Sequence, residues 1–318
     1  MNSVWITGAH GFIGGHLARH LQRCGFRVAG VGHRSAAPLD GTVLGISPWL
    51  NGDLTRNNLE LLERTADTPT TIFHLAGGAS VARALAYPYD DFNRSVLSTA
   101  ELLEWARLHA PETRIVAVSS AAVYGAGHSG PISEDAALHP ISPYAYHKLM
   151  MENLCRSYAA NFGLRVVLPR LFSVYGPGLQ KQLLWDICQK LAMRGVVELG
   201  GTGTEARDWT SVHDVVRNLA EVAELATSDA PVVNLATGVA TSVKEIANIV
   251  IQRWEGAESS SRVVFNGAQR QGDPVSLVAD ITRMRGYGLG YSIQPMQGIA
   301  EYVDWYRQDF GQPGRHQR

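Results

Sequence analysis

Val4-Trp5-Ile6-Thr7-Gly8-Ala9-His10-Gly11-Phe12-Ile13-Gly14 decides the reading of this chain. A short apolar run meets a turn with glycine at every third position. A helical spacing of Leu17 and Leu21 follows and ends near Gly25. Strand, glycine turn and helix in that order form a cradle for a pyrophosphate. Gly8 permits the tight turn, Gly11 lets backbone approach the phosphates, and Gly14 lets helix and strand pack closely. The helix N-terminus then presents unpaired amides and the positive end of its dipole to the anion. The same glycines in an isolated loop would carry little weight. Their place between a strand and a helix predicts dinucleotide binding.

Moving outward, Arg27-Val28-Ala29-Gly30-Val31 reads as a second strand. An acid at the end of such a strand binds the ribose 2′-hydroxyl of NAD, whereas an arginine accepts the 2′-phosphate of NADP. The chain has Gly32-His33-Arg34-Ser35 and no acid. Arg34, helped by His33 and Ser35, therefore favours NADP, with NAD as the alternative; the plain alternative for Arg34 is a solvated loop residue. Leu39 to Leu50 reads as loop, and a helix begins at Gly52-Asp53-Leu54-Thr55 and runs through Leu62. Thr70 to Gly78 is a strand running into small residues, which suits close approach of a cofactor. Tyr89 to Leu108 has helical spacing, and Ile115 to Val118 is a buried strand ending in Ser119-Ser120. A loop follows to Ser142, then a helix from Pro143 to near Gly163 and a strand over Leu164 to Leu168. Strands alternating with helices predict an α/β fold, a Rossmann-type doubly wound parallel sheet.

After Pro169 the rhythm changes. Val174 to Gly178 reads as a turn, Gln182 to Arg194 as a helix, and Glu205 to Asp214 as a charged loop. A helix over Asp214 to Leu225 and a strand over Val232 to Leu235 come next. The expected division is a dinucleotide-binding domain over 1–168, with returning segments near 210–235. A smaller C-terminal α/β substrate-binding part covers 169–209 and 236–310, and Gly311 to Arg318 reads as a frayed tail.

Composition narrows the partners. The 318 residues are 45% hydrophobic with a net charge of −1, enough for a sizeable core and without the basic surface that nucleic acid requires. No apolar run approaches the roughly 18 residues of a membrane span. Three scattered cysteines, Cys24, Cys155 and Cys188, read as reduced thiols of a cytoplasmic protein. The eleven histidines show no ligand spacing, so no metal site is expected.

The chemistry is carried by Tyr144-Ala145-Tyr146-His147-Lys148. In a helix starting after Pro143, Tyr144 and Lys148 share one face. An ammonium beside a phenol lowers the phenol's pKa from about 10 and makes it an acid or base near neutrality. Alone, the pair also fits an ordinary amphipathic helix. Ser120, however, ends a parallel strand, where ligands of such sheets bind. Serine, tyrosine and lysine beside a nicotinamide suggest hydride transfer involving a carbonyl or alcohol. The tyrosine passes the proton, the serine holds the oxygen, and the lysine tunes the tyrosine and binds the nicotinamide ribose.

With these residues assembled, nearly the whole chain, about 3–305, resembles the extended short-chain dehydrogenase/reductase family of nucleotide-sugar epimerases, dehydratases and reductases. The motifs are the Thr7–Gly14 loop, Gly52-Asp53-Leu54, His74-Leu75-Ala76-Gly77, Ser119 to Gly125, and Tyr144-x-x-x-Lys148. Pro169-Arg170 with Val174 to Gly178, Arg207-Asp208-Trp209 and Arg270-Gln271-Gly272-Asp273 complete the set. The resemblance implies that Asp53 and Leu54 meet the adenine, and that Leu75, Ala76, Gly77, Asn93, Ser119 and Pro169 line the cofactor with the Gly8–Gly14 loop. It implies Ser120 as the catalytic hydroxyl, with Ser80, Ala121 and Ser173 toward the substrate. It also implies that Arg207 and Arg270 grip a diphosphate, a role suited to guanidinium; surface pairing, for instance with Asp208 and Asp273, is the plain alternative.

The departures are informative. Where sugar 4,6-dehydratases of this family carry Asp-Glu for elimination, the chain has Ala121-Ala122, which argues against that reaction. Ser173 replaces the family's usual asparagine, which alters the expected phosphate contact. Three functions remain: an NADPH-dependent reductase of a keto-sugar nucleotide, placed first; an epimerase with a tightly bound cofactor; and a non-catalytic nucleotide sensor, disfavoured by the intact Ser120, Tyr144 and Lys148. The family further implies a homodimer through the helix after Tyr144, with Leu149, Met150, Met151, Leu154 and Tyr158 as its apolar face, unless these residues are core.

Overall fold

The computed structural model describes residues 3–33, 45–193, 196–256, 263–268 and 275–311. The strands are β1 (Ser3–Thr7), β2 (Arg27–Gly32), β3 (Trp49–Asn51), β4 (Thr71–His74), β5 (Arg114–Ala117), β6 (Ser119–Ser120) and β7 (Arg165–Leu171). They continue with β8 (Ser173–Tyr175), β9 (Val197–Leu199), β10 (Ala206–Ser211), β11 (Val232–Leu235), β12 (Ala240–Ser242), β13 (Val263–Phe265) and β14 (Ser276–Leu277). The helices are α1 (Phe12–Arg23), α2 (Arg56–Thr65), α3 (Val81–Ala86), α4 (Pro88–Phe92), α5 (Ser98–His109) and α6 (Pro143–Phe162). They continue with α7 (Gln182–Ala192), α8 (Val212–Val222), α9 (Val243–Glu255), α10 (Thr282–Gly286) and α11 (Pro295–Phe310).

The main sheet runs β3-β2-β1-β4-β5-β7-β11, with β6 also paired to β7. Every pairing within it is parallel. The order reverses beside β1, between β2 and β4, which creates the crevice where ligands of open parallel sheets bind. Alternation along β1 shows why both faces are covered. Val4 and Ile6 point into a cluster with Leu17 and Leu21 of α1 and Val215 and Leu219 of α8. Trp5 points the other way, toward Leu59 of α2, Leu103 of α5 and Met151 of α6. A strand buried on both faces reads as a continuous apolar run, as Val4-Trp5-Ile6 does.

Residues after β7 build a second, four-stranded sheet from β8, β10, β12 and β14, and β9 pairs with β13. Residue 169 lies inside β7, while α8 packs on α1 and β11 returns to the main sheet.

Three segments differ from the sequence expectation. Glu205 to Asp214, expected as a charged loop, contains the buried strand β10. Its charge is absorbed internally. Asp208, fully buried, accepts hydrogen bonds from the Thr237 amide and hydroxyl and the Gly238 amide, at 2.6–2.8 Å. The turn at Val174 begins with β8, which pairs with β10. The expected loop ending at Leu50 includes edge strand β3, and α2 starts at Arg56, where Thr55 caps it.

Among the described residues, no helix is long and apolar enough to cross a membrane, and no group of three metal-ligating side chains is found.

Candidate active site

A cleft of about 1910 Å³ runs between the two parts. A single drug-sized ligand typically occupies roughly 300–1,000 Å³, so there is room for a dinucleotide and a second, substrate-sized molecule. Gly8, Gly11, Phe12, Ile13 and Gly14 line one end. Gly8 has φ +72°, and a Cβ there would lie 2.9 Å from the Ala76 nitrogen. A Cβ on Gly14 would overlap the Gly8 carbonyl and sit 2.8 Å from Ala9 Cα. The residues thus fit a pyrophosphate: a side chain at either position would fill the cradle or push helix from strand. Thr7 Oγ1 accepts the Ala76 amide (3.1 Å), joining the ends of β1 and β4.

His33, Asp53, Leu54, Leu75, Ala76 and Gly77 line the same half, and Asn93 joins them. His33 Nε2 lies 2.6 Å from Asp53 Oδ1 across the mouth of the cleft. Two residues expected at the cofactor lie elsewhere. His10 is outside the cleft lining and sets its ring edge-on to Trp49 at 4.2 Å. Pro169 is buried inside β7, opposite Val233. Arg34, Ser35 and Arg270 lie outside the described residues, so the 2′-phosphate argument and one of the two expected diphosphate arginines stay with the sequence.

Ser119, Ser120, Ala121, Tyr144 and Lys148 meet at the centre. Strand β6 ends at Ser120, whose Oγ accepts the Ala122 amide (3.2 Å) as the chain turns into a short 3₁₀ segment. Opposite, Ser142 caps α6 by accepting the Ala145 amide (3.2 Å), and Pro143 occupies the first turn. That start fixes Tyr144 and Lys148 one turn apart, facing Ser120.

The electrostatics differ from the sequence expectation. Burial pushes the Tyr144 phenol above its usual 10; a hydrogen bond with Ser120 works against this, and the charge of Asp91 adds to it. The expected lowering by Lys148 does not offset this burial; the Lys148 Nζ donates to the Val118 carbonyl (2.9 Å). Lys148 is itself only 5% exposed. Burial brings its pKa down from 10.5 to about 8, with Asp91 and then Glu152 opposing the fall.

The other wall carries Ser80, Ser173 and Arg207. Arg207 Nη1 donates to the Ala206 carbonyl (2.8 Å). Lys181, which the sequence reading passed over, also lines this wall and donates from Nζ to the Ala79 carbonyl (3.1 Å). Also missed were Asp91 with His147 (2.6 Å) and Glu152 with Ser119 (2.6 Å) and Arg170 (2.7 Å). The available signals were the double glycine at 77–78 and a glutamate four residues after Lys148.

The profile of the NAD dependent epimerase/dehydratase family matches residues 4–236. A UDP-glucose 4-epimerase of Azospirillum brasilense is 30% identical over 303 residues, covering 89% of this chain and 85% of that protein. Solved structures include MoeE5 in complex with UDP-glucuronic acid and NAD, 32% identical with a TM-score of 0.83, covering 96% of this chain and 99% of that one. A UDP-glucuronic acid 4-epimerase from Bacillus cereus in complex with UDP-glucuronic acid and NAD is 25% identical with a TM-score of 0.84, at the same coverages. The chain belongs to the NAD dependent epimerase/dehydratase family of enzymes, as its extended short-chain dehydrogenase/reductase motifs implied.

Proposed function

We propose that the protein inverts C4 of a UDP-sugar, with a nicotinamide dinucleotide bound along the Gly8–Gly14 cradle. The convergence of Ser120, Tyr144 and Lys148 in one cleft with that cradle carries the reading. Two relatives named as UDP-sugar 4-epimerases support it over the keto-sugar reductase favoured by sequence alone. On this reading residues 1–168 and the returning segments near 210–235 hold the cofactor, and the remainder holds the sugar nucleotide.

A bound nicotinamide would supply a reversible hydride acceptor for the sugar carbon, the epimer resulting where the hydride returns to the opposite face. Tyr144 takes the hydroxyl proton as the carbon is oxidised and returns it on reduction. Ser120 Oγ hydrogen-bonds that oxygen and steadies its developing charge. Lys148 stands one turn from Tyr144 and would hold the ribose of the nicotinamide beside it. Asp53 and Leu54 flank the adenine, and Arg207, with Arg270, meets the diphosphate. Ala121 and Ala122 offer no second acid–base pair, which confines the chemistry to a hydride and its proton.

Incubation with UDP-glucose, UDP-glucuronate and UDP-N-acetylglucosamine, followed by NMR of the sugar, tests this. The C4 epimer without net cofactor consumption is the expected result; net NADPH loss on a keto-sugar nucleotide would restore the reductase. The cofactor itself is NADP on the argument of Arg34, although MoeE5 holds NAD. Arg34→Ala is then expected to weaken NADP far more than NAD in a binding titration, and equal effects would remove the preference. Exposed Leu108 on α5 and Met150 and Phe162 on α6 support a homodimer through these helices, although Met151 is core; light scattering reads the mass.

A further inference from the structure

A buried ammonium is costly unless an anion stands near it. Two buried carboxylates lie around Lys148. Glu152, one turn along α6, is already committed: Oε1 accepts from Ser119 Oγ and Arg170 Nε, and Oε2 from Arg170 Nη2 and Arg156 Nη2. Two guanidiniums against one carboxylate leave that cluster with positive charge to spare.

Asp91 is differently placed. It comes from α4, is 4% exposed, and lies with Oδ2 2.6 Å from His147 Nδ1. Its Oδ1 presses on Gly78, where a Cβ would overlap it. On Gly77 a Cβ would sit 3.3 Å from Lys148 Nζ. The two glycines are therefore a thin partition, with the ammonium against one and the carboxylate against the other. Ser95 Oγ accepts the Gly78 amide (2.9 Å) and fixes the partition in place.

We propose that Asp91, held by His147 beneath the Gly77–Gly78 turn, is the counter-charge that keeps the buried Lys148 ammonium protonated and in position. Asp91 is a positioning residue that acts through Lys148, and the inference rests on reading Lys148 as the working lysine. The titratable groups facing Lys148 are Tyr144, Glu152 and Cys155 on its own helix, His74 on β4 and Asp91 on α4. His74 is neutral, with a pKa near 3. Burial holds the Cys155 thiol near 12 and the Tyr144 phenol protonated. Among all these, Asp91 pulls Lys148 upward most.

The chain has four lysines, Lys148, Lys181, Lys190 and Lys244, so carbon-13-labelled lysine gives a spectrum simple enough to titrate, with Lys148→Arg supplying the assignment. In the native protein the Lys148 signal is expected to titrate near 8. In Asp91→Asn it is expected to fall by about one pH unit or more, with the other three unmoved and the alkaline limb of activity shifted by the same amount. Asp91→Ala, read with and without added formate, serves if the amide variant fails to fold; formate is expected to restore the native titration. The titration is read without turnover, so the two readings fail separately. Full turnover by Tyr144→Phe would overturn the catalytic assignment, whereas a Lys148 titration unmoved in whichever Asp91 variant folds would overturn this one.

Discussion

Two buried charges on α6 stand one turn apart and are handled in opposite ways. Glu152 has every acceptor position used by a serine hydroxyl and two guanidiniums. Burial alone would raise its carboxyl, but the hydrogen bonds and charge of Arg170 outweigh burial and hold it below the usual range. Burial brings the Lys148 pKa down to about 8, and the carboxylate across the glycine turn opposes that fall only in part, while its Nζ donates to one carbonyl. A saturated charge fixes geometry: Glu152 ties α6 to Ser119 and to Arg170, which are directly paired in the sheet. An incompletely compensated charge can change its state near neutral pH, which is what proton chemistry needs. The helix is clamped by one charge so that the other can be left poised.

If that division is right, the two ends of the helix fail in different currencies when mutated. Tyr144→Phe removes one oxygen from the poised end. Turnover is expected to fall by about 10²–10⁴, measured as the initial rate of sugar isomerisation, while urea unfolding shows stability nearly unchanged. Glu152→Gln attacks the clamp and leaves buried Arg170 without its anion. Unfolding in urea is expected to show a loss of about 3–5 kcal/mol. Glu152→Gln with Arg170→Met is expected to recover part of that loss; simple additivity of the two single losses would show that the pair is no unit.

His74 shows a third way to bury a titratable group, by giving up its charge. It is 1% exposed and lies between Thr7 Oγ1 (2.8 Å) and Thr99 Oγ1 (2.9 Å). Burial, then the nearby charge of Lys148, lowers its pKa from 6.5 to about 3. The native state thus favours the neutral ring. Between these pH values the unfolded chain binds the extra proton, so the stabilisation is complete above 6.5 and is lost as pH falls. At pH 5 the loss is about 2 kcal/mol. Urea unfolding at pH 7 and 5 is expected to show that difference shrinking by about this amount in His74→Gln.

How much of this was legible in the sequence follows the same physics. The cradle could be read because its demands fall on backbone: at Gly8 and Gly14 a Cβ meets main-chain atoms, so glycine spacing alone carries the message. The Tyr144/Lys148 pair could be read because both lie on one helix at fixed spacing. Asp91 and His147 could not, since a partnership 56 residues apart exists only once α4 and α6 pack. Strand β10 was missed because Arg207 and Asp208 look solvated. The Gly238 backbone amide that donates to Asp208 comes from 30 residues away. The phenol's direction differs from the sequence expectation because spacing reports that Lys148 is near Tyr144, not that burial raises the phenol.

The smallest expected effect bears on the same comparison from the start of the helix. Ser142 is 5% exposed and its Oγ accepts the Ala145 amide at 3.2 Å. Pro143 behind it has no amide to satisfy and already has helical φ. Ser142→Ala therefore leaves one first-turn donor without its side-chain acceptor, at a cost of about 1 kcal/mol. That is less than the expected loss from Glu152→Gln, because the cap secures a single amide while the clamp secures buried charges. If the clamp in the middle of α6 sets the position of Lys148, the cap variant keeps the native pH dependence of turnover and loses only stability, read as a shift in the urea midpoint at constant slope. A changed pH profile in Ser142→Ala would mean that the cap, not Glu152, sets the register of the catalytic face.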